Sequence, residues 1–380
     1  MLKKFATSAV LSAALAAIPA FAESASERMY HHTVSQVDTH GTYFCYMANS
    51  KNSNAVIKKQ QKKLASKDAQ LKLVFKVINL LTDDDAVKAQ ASSSISRADG
   101  VHVFKHFSYF GQGVVQPGSW GLFDRNAVKV NWDALPSDTI LALSVRLKPG
   151  NFIRNFHSQL LKDRSSRALA IKIELLKKSG LDLVQLLSAV DGEIFLLVKG
   201  STPADFGVKL VIPDRANRIA GQLKMLLPPA QNNVAMIPLP PPETLPHFKL
   251  QLHYQDQRLV FVSDAGMLNP APGMLSSKLP LRRYLQYLPG NAASYALVNL
   301  NAAKRKLAGE IILPLLDEKA RKDAAIFLDA IPHLELATAG RFVNHGFSST
   351  AVSNISLPDF WLSMPIKMFS FLNSLSIEAK

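Results

Sequence analysis

The chain has almost no cysteine, which limits its redox chemistry. Cys45 is the single cysteine among 380 residues, so an internal disulfide is excluded. It lies in the run TYFCYMA, where no neighbouring cation is present to stabilise a thiolate. We therefore predict a buried, small apolar side chain at this position, with a reactive thiol as the alternative.

Long hydrophobic runs are missing after residue 22. No later stretch approaches the roughly 18 uninterrupted apolar residues of a membrane-spanning helix. At the N-terminus, Lys3 and Lys4 precede an apolar stretch from Val10 to Ala20, and Ala22 supplies a small residue at the cleavage position. This pattern is typical of a secretory signal peptide. We expect cleavage between Ala22 and Glu23, and a mature protein in the periplasm or outside the cell.

Acidic residues are scarce relative to basic ones. The chain has 44 Lys and Arg against 29 Asp and Glu, a formal net charge of +15 that falls to +13 once Lys3 and Lys4 leave with the signal peptide. Such an excess favours contact with anionic lipid headgroups, acidic glycans or nucleic acid. The alternative is a high background charge common to proteins of the same organism.

One predicted helix concentrates this positive charge. Between residues 58 and 72 a single acid, Asp68, stands among six lysines, four of which share a stripe at helical spacing. We predict that this stretch binds an anionic envelope polymer or lipid headgroups, with an ordinary solvated helix face as the alternative. It has no interleaved aromatic residues, so nucleic acid is not an expected partner. The six lysines are Lys58, Lys59, Lys62, Lys63, Lys67 and Lys72.

Motifs for catalysis, cofactors and metals are absent from the sequence. There is no G-x-S-x-G, and the GQG at 111–113 lacks the third glycine and the following helix of a nucleotide site. His102 and His106 would lie on one face of a strand but about 13 Å apart, too far for an easy shared metal ion. We predict surface or hydrogen-bonded histidines there, and no cofactor. Glu193 is a candidate acid only in the sense that any carboxylate is.

The residues that are present alternate between helical and strand periodicities. Apolar residues three and four apart indicate helices, and alternating runs indicate strands and hairpins, one of them turning at 98–100 and another at 256–257. We therefore predict an α+β fold made of repeated strand–helix–antiparallel-strand units, with antiparallel sheets and helices packed on one side. The main predicted strands are 42–48, 139–147, 192–198 and 206–212, and the main predicted helices are 152–161, 165–178, 183–190, 214–227, 302–316 and 318–330.

Two stretches mark where the predicted units begin. LPSDTILALSVRL (Leu135–Leu147) and LPGNAASYALVNL (Leu288–Leu300) are 153 residues apart, and each sets Leu-Pro and a polar turn before an apolar run. Proline fixes its own φ and forces the preceding residue into extended backbone, so the strand starts at a defined point.

This periodicity divides the chain into segments. We predict a signal peptide (1–22), a flexible N-terminal arm (23–40), three α+β units (41–130, 131–280 and 281–357) and an apolar C-terminal segment (358–380). The C-terminal segment is predicted to dock on the core as a closing helix, with a membrane-surface or partner-binding role as the alternative.

Leu135, Pro136, Asp138 and Thr139 before a strand, followed later by Gly192-Glu193, carry a resemblance. Together with the GTYFCY and SSS segments of the first unit, they are similar to a group of exported bacterial proteins of unknown function. That group has an LP-A-D-T motif and a later G-x-E motif, and the likeness covers residues 41–264. Ser137 replaces the usual alanine, and the third unit has Gly-Asn in place of Ala-Asp. The resemblance implies no catalytic residues.

We therefore expect an exported, non-enzymatic protein that binds or scaffolds anionic components of a bacterial envelope. The first alternative is a carrier that holds an apolar or lipid-like ligand between sheet and helices. The second is a hydrolase whose site has no recognisable motif. A buried apolar cavity would favour the carrier, whereas converging carboxylates or a Ser–His pair in a cleft would favour the enzyme.

Overall fold

A computed structural model describes residues 24–48, 87–111, 118–162, 167–200, 203–237, 249–269, 281–330 and 332–360. The predicted signal peptide, with its cleavage point between Ala22 and Glu23, lies outside these described residues. The predicted basic stretch from Lys58 to Lys72 also lies outside them. Both expectations therefore remain predictions from the sequence.

Twelve strands form where alternating apolar and polar residues recur along the described parts of the chain. The predicted hairpin turns at 98–100 and 256–257 are confirmed, and Gln257 adopts the positive φ of 55° that such a tight turn requires. The strands are β1 Tyr43–Ala48, β2 Ala89–Ser96, β3 His102–Tyr109, β4 Thr139–Leu147, β5 Gly192–Lys199, β6 Gly207–Pro213, β7 Val234–Met236, β8 Gln251–Gln255, β9 Arg258–Val262, β10 Ser294–Asn299, β11 Glu335–Val343 and β12 Gly346–Ser353.

Helices occupy the segments with helical spacing of apolar residues, and local signals set their ends. Asp182 accepts a hydrogen bond from the backbone N–H of Gln185 at 2.9 Å and so begins a helix. Pro314 lies where a helical region tightens into its last turn, because proline cannot donate a backbone hydrogen bond. The helices are α1 Ser24–Val34, α2 Gly150–Lys162, α3 Arg167–Lys178, α4 Leu183–Ala189, α5 Arg218–Leu226, α6 Leu281–Leu285, α7 Leu300–Ala302, continued by the π-helix Ala303–Ile312 and the 3₁₀ turn Leu313–Leu315, and α8 Glu318–Ala330.

The described strands all pair into one antiparallel sheet. Its order is β1-β2-β3-β12-β11-β10-β4-β5-β6-β9-β8-β7. The α+β class predicted from the sequence is therefore confirmed. The N-terminal strands lie beside the C-terminal ones, since β3 pairs with β12 along its whole length. Segments that are remote in the sequence thus complete the same half of the sheet.

The two strands that follow Leu-Pro turns are neighbours at the centre of this sheet. Leu143 of β4 lies opposite Ala296 of β10, and these two positions are 153 residues apart, the same spacing as the two Leu-Pro turns. Outward from this pair the strand orders correspond: β5-β6-β9-β8-β7 on one side and β11-β12-β3-β2-β1 on the other. A duplication would produce such an order. The duplication and the predicted unit boundaries remain predictions.

The two faces of the sheet are covered differently. On one face, the loop face, Leu197 and Leu297 pack against the connecting segments that precede β4 and β10. Alternate residues of the same strands point to the opposite face, the helix face. There Val198 packs against the helical segment that follows β10, and Ala220 of α5 packs against β8 and β9.

One local expectation needs correction. The segment predicted as a flexible arm contains α1, whose His32 ring lies 6.0 Å from the ring of Phe107 on the loop face. Thr33 of this helix is fully buried, so tertiary contact orders a segment that has no clear periodicity of its own. The stretch around Trp120 forms the 3₁₀ turn Gly118–Leu122. The Trp120 ring packs against Phe110, Phe123, Phe342 and Phe347.

Candidate functional site

Two adjoining cavities lie against the loop face, and together we call them the cleft. The first, the polar cavity, has a volume of about 330 Å³, and the second, the aromatic cavity, about 360 Å³. Lys129 and Val130 line both, so the segment before β4 forms their shared wall. The polar cavity is lined by Lys129, Val130, Asn131, Ala134, Leu135, Glu193, Phe195, Leu197, Lys209, Leu268 and Asn269. The aromatic cavity is lined by Val128, Lys129, Val130, Trp132, Leu285, Leu288, Pro289, Gly290 and Tyr295.

The shared wall is held at both ends. At its start the backbone N–H of Val128 donates to the carbonyl of Ala292 at 2.8 Å, which ties it to the segment before β10. At its end buried Leu135 precedes the proline turn, where the Thr139 hydroxyl donates to the Pro136 carbonyl at 2.7 Å. The Leu-Pro motif therefore has two roles. It begins strand β4, and it fixes the position of the segment that forms the wall of the cleft.

Glu193 and Lys209 bring opposite charges to the polar cavity. Neighbouring strands β5 and β6 carry them, and both residues point to the loop face with Leu197, the register partner of Lys209. The Ser144 hydroxyl donates to Glu193 Oε1 at 2.5 Å. Lys209 Nζ donates to the carbonyl oxygen of Leu268. Burial lowers the pKa of Lys209 below its ordinary value, because the charged ammonium loses hydration.

The aromatic cavity offers a different surface. The rings of Trp132 and Tyr295 meet edge to face, with centroids 5.8 Å apart at an interplanar angle of 88°. The Tyr295 hydroxyl donates to the Pro289 carbonyl at 2.6 Å, and burial raises the pKa of this phenol. Because that hydroxyl already has an internal acceptor, the Tyr295 and Trp132 rings offer apolar and aromatic surface beside the polar part of the lining, which includes Lys129.

A salt bridge organises the strand end next to the cleft. Arg146 is the register partner of Glu193, and its Nε lies 3.0 Å from Oδ2 of Asp124. Burial by itself would raise the pKa of Asp124, but hydrogen bonds from Asn126 and from Arg146 hold this pKa below its usual value. Arg146 thus has a carboxylate partner outside the cleft, while Glu193 is held by Ser144.

This arrangement is suited to holding a ligand. Among the residues that the structure describes, Glu193 is the only carboxylate that lines either cavity, whereas glycoside hydrolysis uses two. Within the described residues there is no group of three or more His, Cys, Asp or Glu that could hold a metal ion. The cleft combines a half-buried ammonium, apolar side chains and two aromatic rings. Such a combination of a charge with apolar surface suits an amphiphile.

A Ser–His network lies on the helix face, away from the cleft. His106 Nδ1 is 2.8 Å from the Ser92 hydroxyl, and its Nε2 is 3.0 Å from the hydroxyl of Ser108. On the same strands Ser96 lies 2.9 Å from His102 Nδ1, so both histidines are hydrogen-bonded, as predicted. Ser108 is buried, which makes it inaccessible as a nucleophile. We interpret the network as a structural link between β2 and β3.

The buried His106 should make stability depend on pH. Burial lowers the pKa of this imidazole, whereas in the unfolded chain it titrates near 6.5. The stability that the neutral, buried His106 contributes to the fold is fully present above about pH 6.5. As the pH falls below that value, the unfolded chain gains a proton that the folded chain does not, and the free energy of unfolding decreases until the lowered pKa is passed. Urea unfolding between about pH 5 and 7.5 measures this slope.

Two histidine variants separate this effect from others. His106→Gln should show a shallower pH dependence of the unfolding free energy than the wild type. His102→Gln removes a similar Ser–His hydrogen bond at an exposed position and should retain the wild-type slope. If the unfolding free energy of His106→Gln depends on pH as steeply as that of the wild type, His106 is not the group that causes the dependence.

Other residues singled out in the sequence have clear positions. Cys45 is half-buried in β1, opposite Ser92. Phe360, at the start of the apolar C-terminal segment, is buried against Leu334 and Leu357, which agrees with docking on the core for the part of this segment that is described. Residues from Trp361 onward lie outside the described residues.

Lys129, Ser144 and Lys209 belong to no motif that the sequence displays. One signal for Lys209 was available: it is a single lysine in the middle of the apolar strand GVKLVIP, and a charge at such a position is expensive without a partner. No comparable signal marks Lys129 or Ser144, because their roles depend on neighbours from distant segments.

Comparisons with known proteins found no match to the chain among protein-family models, curated proteins or solved structures. The resemblance stated for the LP-A-D-T and G-x-E motifs thus remains a prediction. Across the residues that the structure describes, no helix has the length and apolar character needed to span a membrane.

Proposed function

We propose that the protein is a non-enzymatic carrier that binds a small amphiphilic anion in the cleft. The observation that supports this most directly is Lys209, whose ammonium is carried into a cavity walled by Leu135, Phe195 and Leu197. A carboxylate or phosphate head would pair with Lys209, and the apolar part of the ligand would extend towards Trp132 of the aromatic cavity.

The physical reason is the cost of removing a charge from water, which the half-buried Lys209 incurs in part. An ammonium that loses water is destabilised unless an anion or several acceptors replace the hydration. Lys209 has the Leu268 carbonyl as an acceptor, and a carbonyl compensates a full positive charge only in part. An anionic ligand would complete the compensation, which gives the cleft a preference for anions that its mostly apolar walls would not create.

The sequence adds context to this proposal. The predicted signal peptide and the net charge of +15 support a periplasmic or secreted protein that meets anionic components of the envelope. The sequence-based carrier hypothesis placed the ligand between sheet and helices, whereas the cleft lies between the sheet and the loops. A broader role in binding or scaffolding envelope polymers rests on the predicted stretch Lys58 to Lys72 and stays a separate proposal.

The first test is the variant Lys209→Met, which keeps an unbranched side chain one atom shorter than lysine and removes its charge. We expect its affinity for a fluorescent long-chain fatty acid to fall by about 10- to 100-fold, since a hydrogen bond to a charged group contributes ~1.5–3 kcal/mol. Its stability should be unchanged or higher, because a methionine has no charge to desolvate. Fluorescence titration and thermal unfolding measure the two quantities.

Two controls make the result specific. Lys148→Met removes an exposed lysine near the end of β4 and should leave the affinity unchanged. The methyl ester of the same fatty acid lacks the negative charge and should bind wild type and Lys209→Met equally. If wild type does not prefer the acid over the ester, or if Lys209→Met binds the acid as tightly as wild type, the proposal fails.

The natural ligand can be sought independently. Protein recovered from the cell envelope and transferred directly into native mass spectrometry should carry an added mass that organic extraction removes. Recovery of Lys209→Met under the same conditions should show that mass at reduced occupancy. A bound species without an anionic group would contradict the proposed ligand class.

A further inference from the structure

The helical layer formed by α2 to α5 has an unusual concentration of exposed apolar side chains. Of the large hydrophobic residues that are exposed in the described structure, most belong to this layer. Ile171 and Leu175 of α3 are 49% and 57% exposed and lie one turn apart on the same face of the helix. The other members are Leu161, Leu176, Leu187, Met225 and Leu226.

Positive charge borders these apolar residues. Lys172 and Lys178 are exposed on α3, and at 100° per residue they fall on opposite sides of the line through Ile171 and Leu175. Residues 150–189 contain seven Lys and Arg against three Asp and Glu. The layer therefore combines an apolar outer face with a cationic border, as interfacial helices do.

Two acidic residues of the layer, Glu174 and Asp182, make contacts that organise it. Glu174 of α3 lies 3.4 Å from His157 Nε2 of α2. Asp182 lies 3.3 Å from Lys177 Nζ and begins α4 by accepting from Gln185. Burial alone would raise the pKa of Asp182, but these hydrogen bonds and the Lys177 charge keep it low. These two carboxylates join neighbouring elements, which leaves the cationic border the dominant charge next to Ile171 and Leu175.

We infer that the α2–α5 layer docks on an anionic lipid surface, with Ile171 and Leu175 inserted at the headgroup boundary and Lys172 and Lys178 paired with lipid phosphates. This inference does not depend on ligand binding in the cleft, which lies on the other face of the sheet. A protein with both properties could exchange an amphiphilic anion with the membrane on which it docks.

Lipid vesicles provide the test. The purified protein should sediment with phosphatidylcholine vesicles that contain phosphatidylglycerol, more weakly with pure phosphatidylcholine, and progressively less with added salt as the screening length shrinks to ~8 Å near physiological ionic strength. The double variant Ile171→Gln/Leu175→Gln should lose about tenfold or more in vesicle partitioning, because two apolar contacts with the lipid are removed.

A matched control and a reporter complete the design. Met236→Gln changes a similarly exposed apolar residue on β7 and should bind vesicles like the wild type. Leu175→Trp should show a blue shift of tryptophan emission when anionic vesicles are added. Fatty-acid affinity should be unchanged in Ile171→Gln/Leu175→Gln, and vesicle binding should be unchanged in Lys209→Met, so that the two proposals fail separately.

Three outcomes would overturn the inference. The first is equal vesicle binding by the wild type and the double variant. The second is an emission of Leu175→Trp that vesicles do not alter. The third is that the double variant differs from the wild type in mass by sedimentation velocity but binds vesicles equally well. That result would assign the apolar face to contact between copies of the chain.

Discussion

Gly346→Ala should destabilise the protein by about 2–4 kcal/mol, because the new methyl group has no space. A Cβ at this position would overlap the backbone carbonyl of Ser108 and lie 2.5 Å from Cζ of Phe107. Gly346 pairs with Tyr109 where β12 joins β3, the contact that connects the N-terminal strands to the rest of the sheet. A backbone atom cannot move aside as a flexible side chain can, so the strands themselves must separate.

Equilibrium unfolding in urea measures this effect, and a second glycine supplies the control. Gly221 lies in α5, and a Cβ added there would have open space within 4 Å. Gly221→Ala should stabilise the protein by about 0.5–1 kcal/mol, since alanine is the better helix former. A Gly346→Ala protein as stable as the wild type would show that β3 and β12 do not approach as closely as described.

Asp214→Ala should cost about 3 kcal/mol, because it removes a fully buried helix cap. The two carboxylate oxygens of Asp214 accept from the backbone N–H groups of Ile219 and Ala220, each at 2.7 Å. Asp214 has no exposed surface, so in the alanine variant both donors would be left without an acceptor and without water. The residue also follows β6, which carries Lys209, so the substitution acts on the strand that helps to form the cleft.

The matched variant is Asp182→Ala, which removes a cap at a more exposed helix start. Its side chain is 20% exposed, so water can replace the lost hydrogen bond with Gln185. We expect a cost of about 1 kcal/mol for this change. Urea unfolding of both variants gives the comparison, and equal losses would mean that burial of the Asp214 cap contributes nothing extra.

The two faces of the sheet carry different candidate binding surfaces. The cleft lies on the loop face, and the α2–α5 layer lies on the opposite face. Lys209 is a half-buried charge in a partly apolar cavity, where we propose that an anion binds, whereas Lys172 and Lys178 are exposed charges beside apolar side chains. The first arrangement matches a small molecule that enters a cavity. The second matches an extended surface such as a lipid headgroup layer. The Lys209→Met and Ile171→Gln/Leu175→Gln variants separate these two properties.

The sequence by itself determined most local elements, because their signals lie within a few residues of one another. The helix predicted from Glu318 to Ala330 has those bounds in the structure, and Asp182 caps α4 as its sequence context indicates. Strands at 42–48 and 139–147 follow from alternation of apolar side chains. The N-terminal helix α1 was missed, since its order depends on contact with Phe107 rather than on periodicity.

Tertiary structure alone decided how these elements combine. Local periodicity specifies that a strand forms but not which strand pairs with it, because pairing is a contact between residues far apart in the chain. Two features of the fold result from such pairing. Strand β3 pairs with β12, and one cavity is lined together by Lys129, Glu193 and Lys209. Leu-Pro could be read as the start of a strand from its own chemistry. Its second role, as the end of the cleft wall, exists only because β4 and β10 lie side by side at the centre of the sheet.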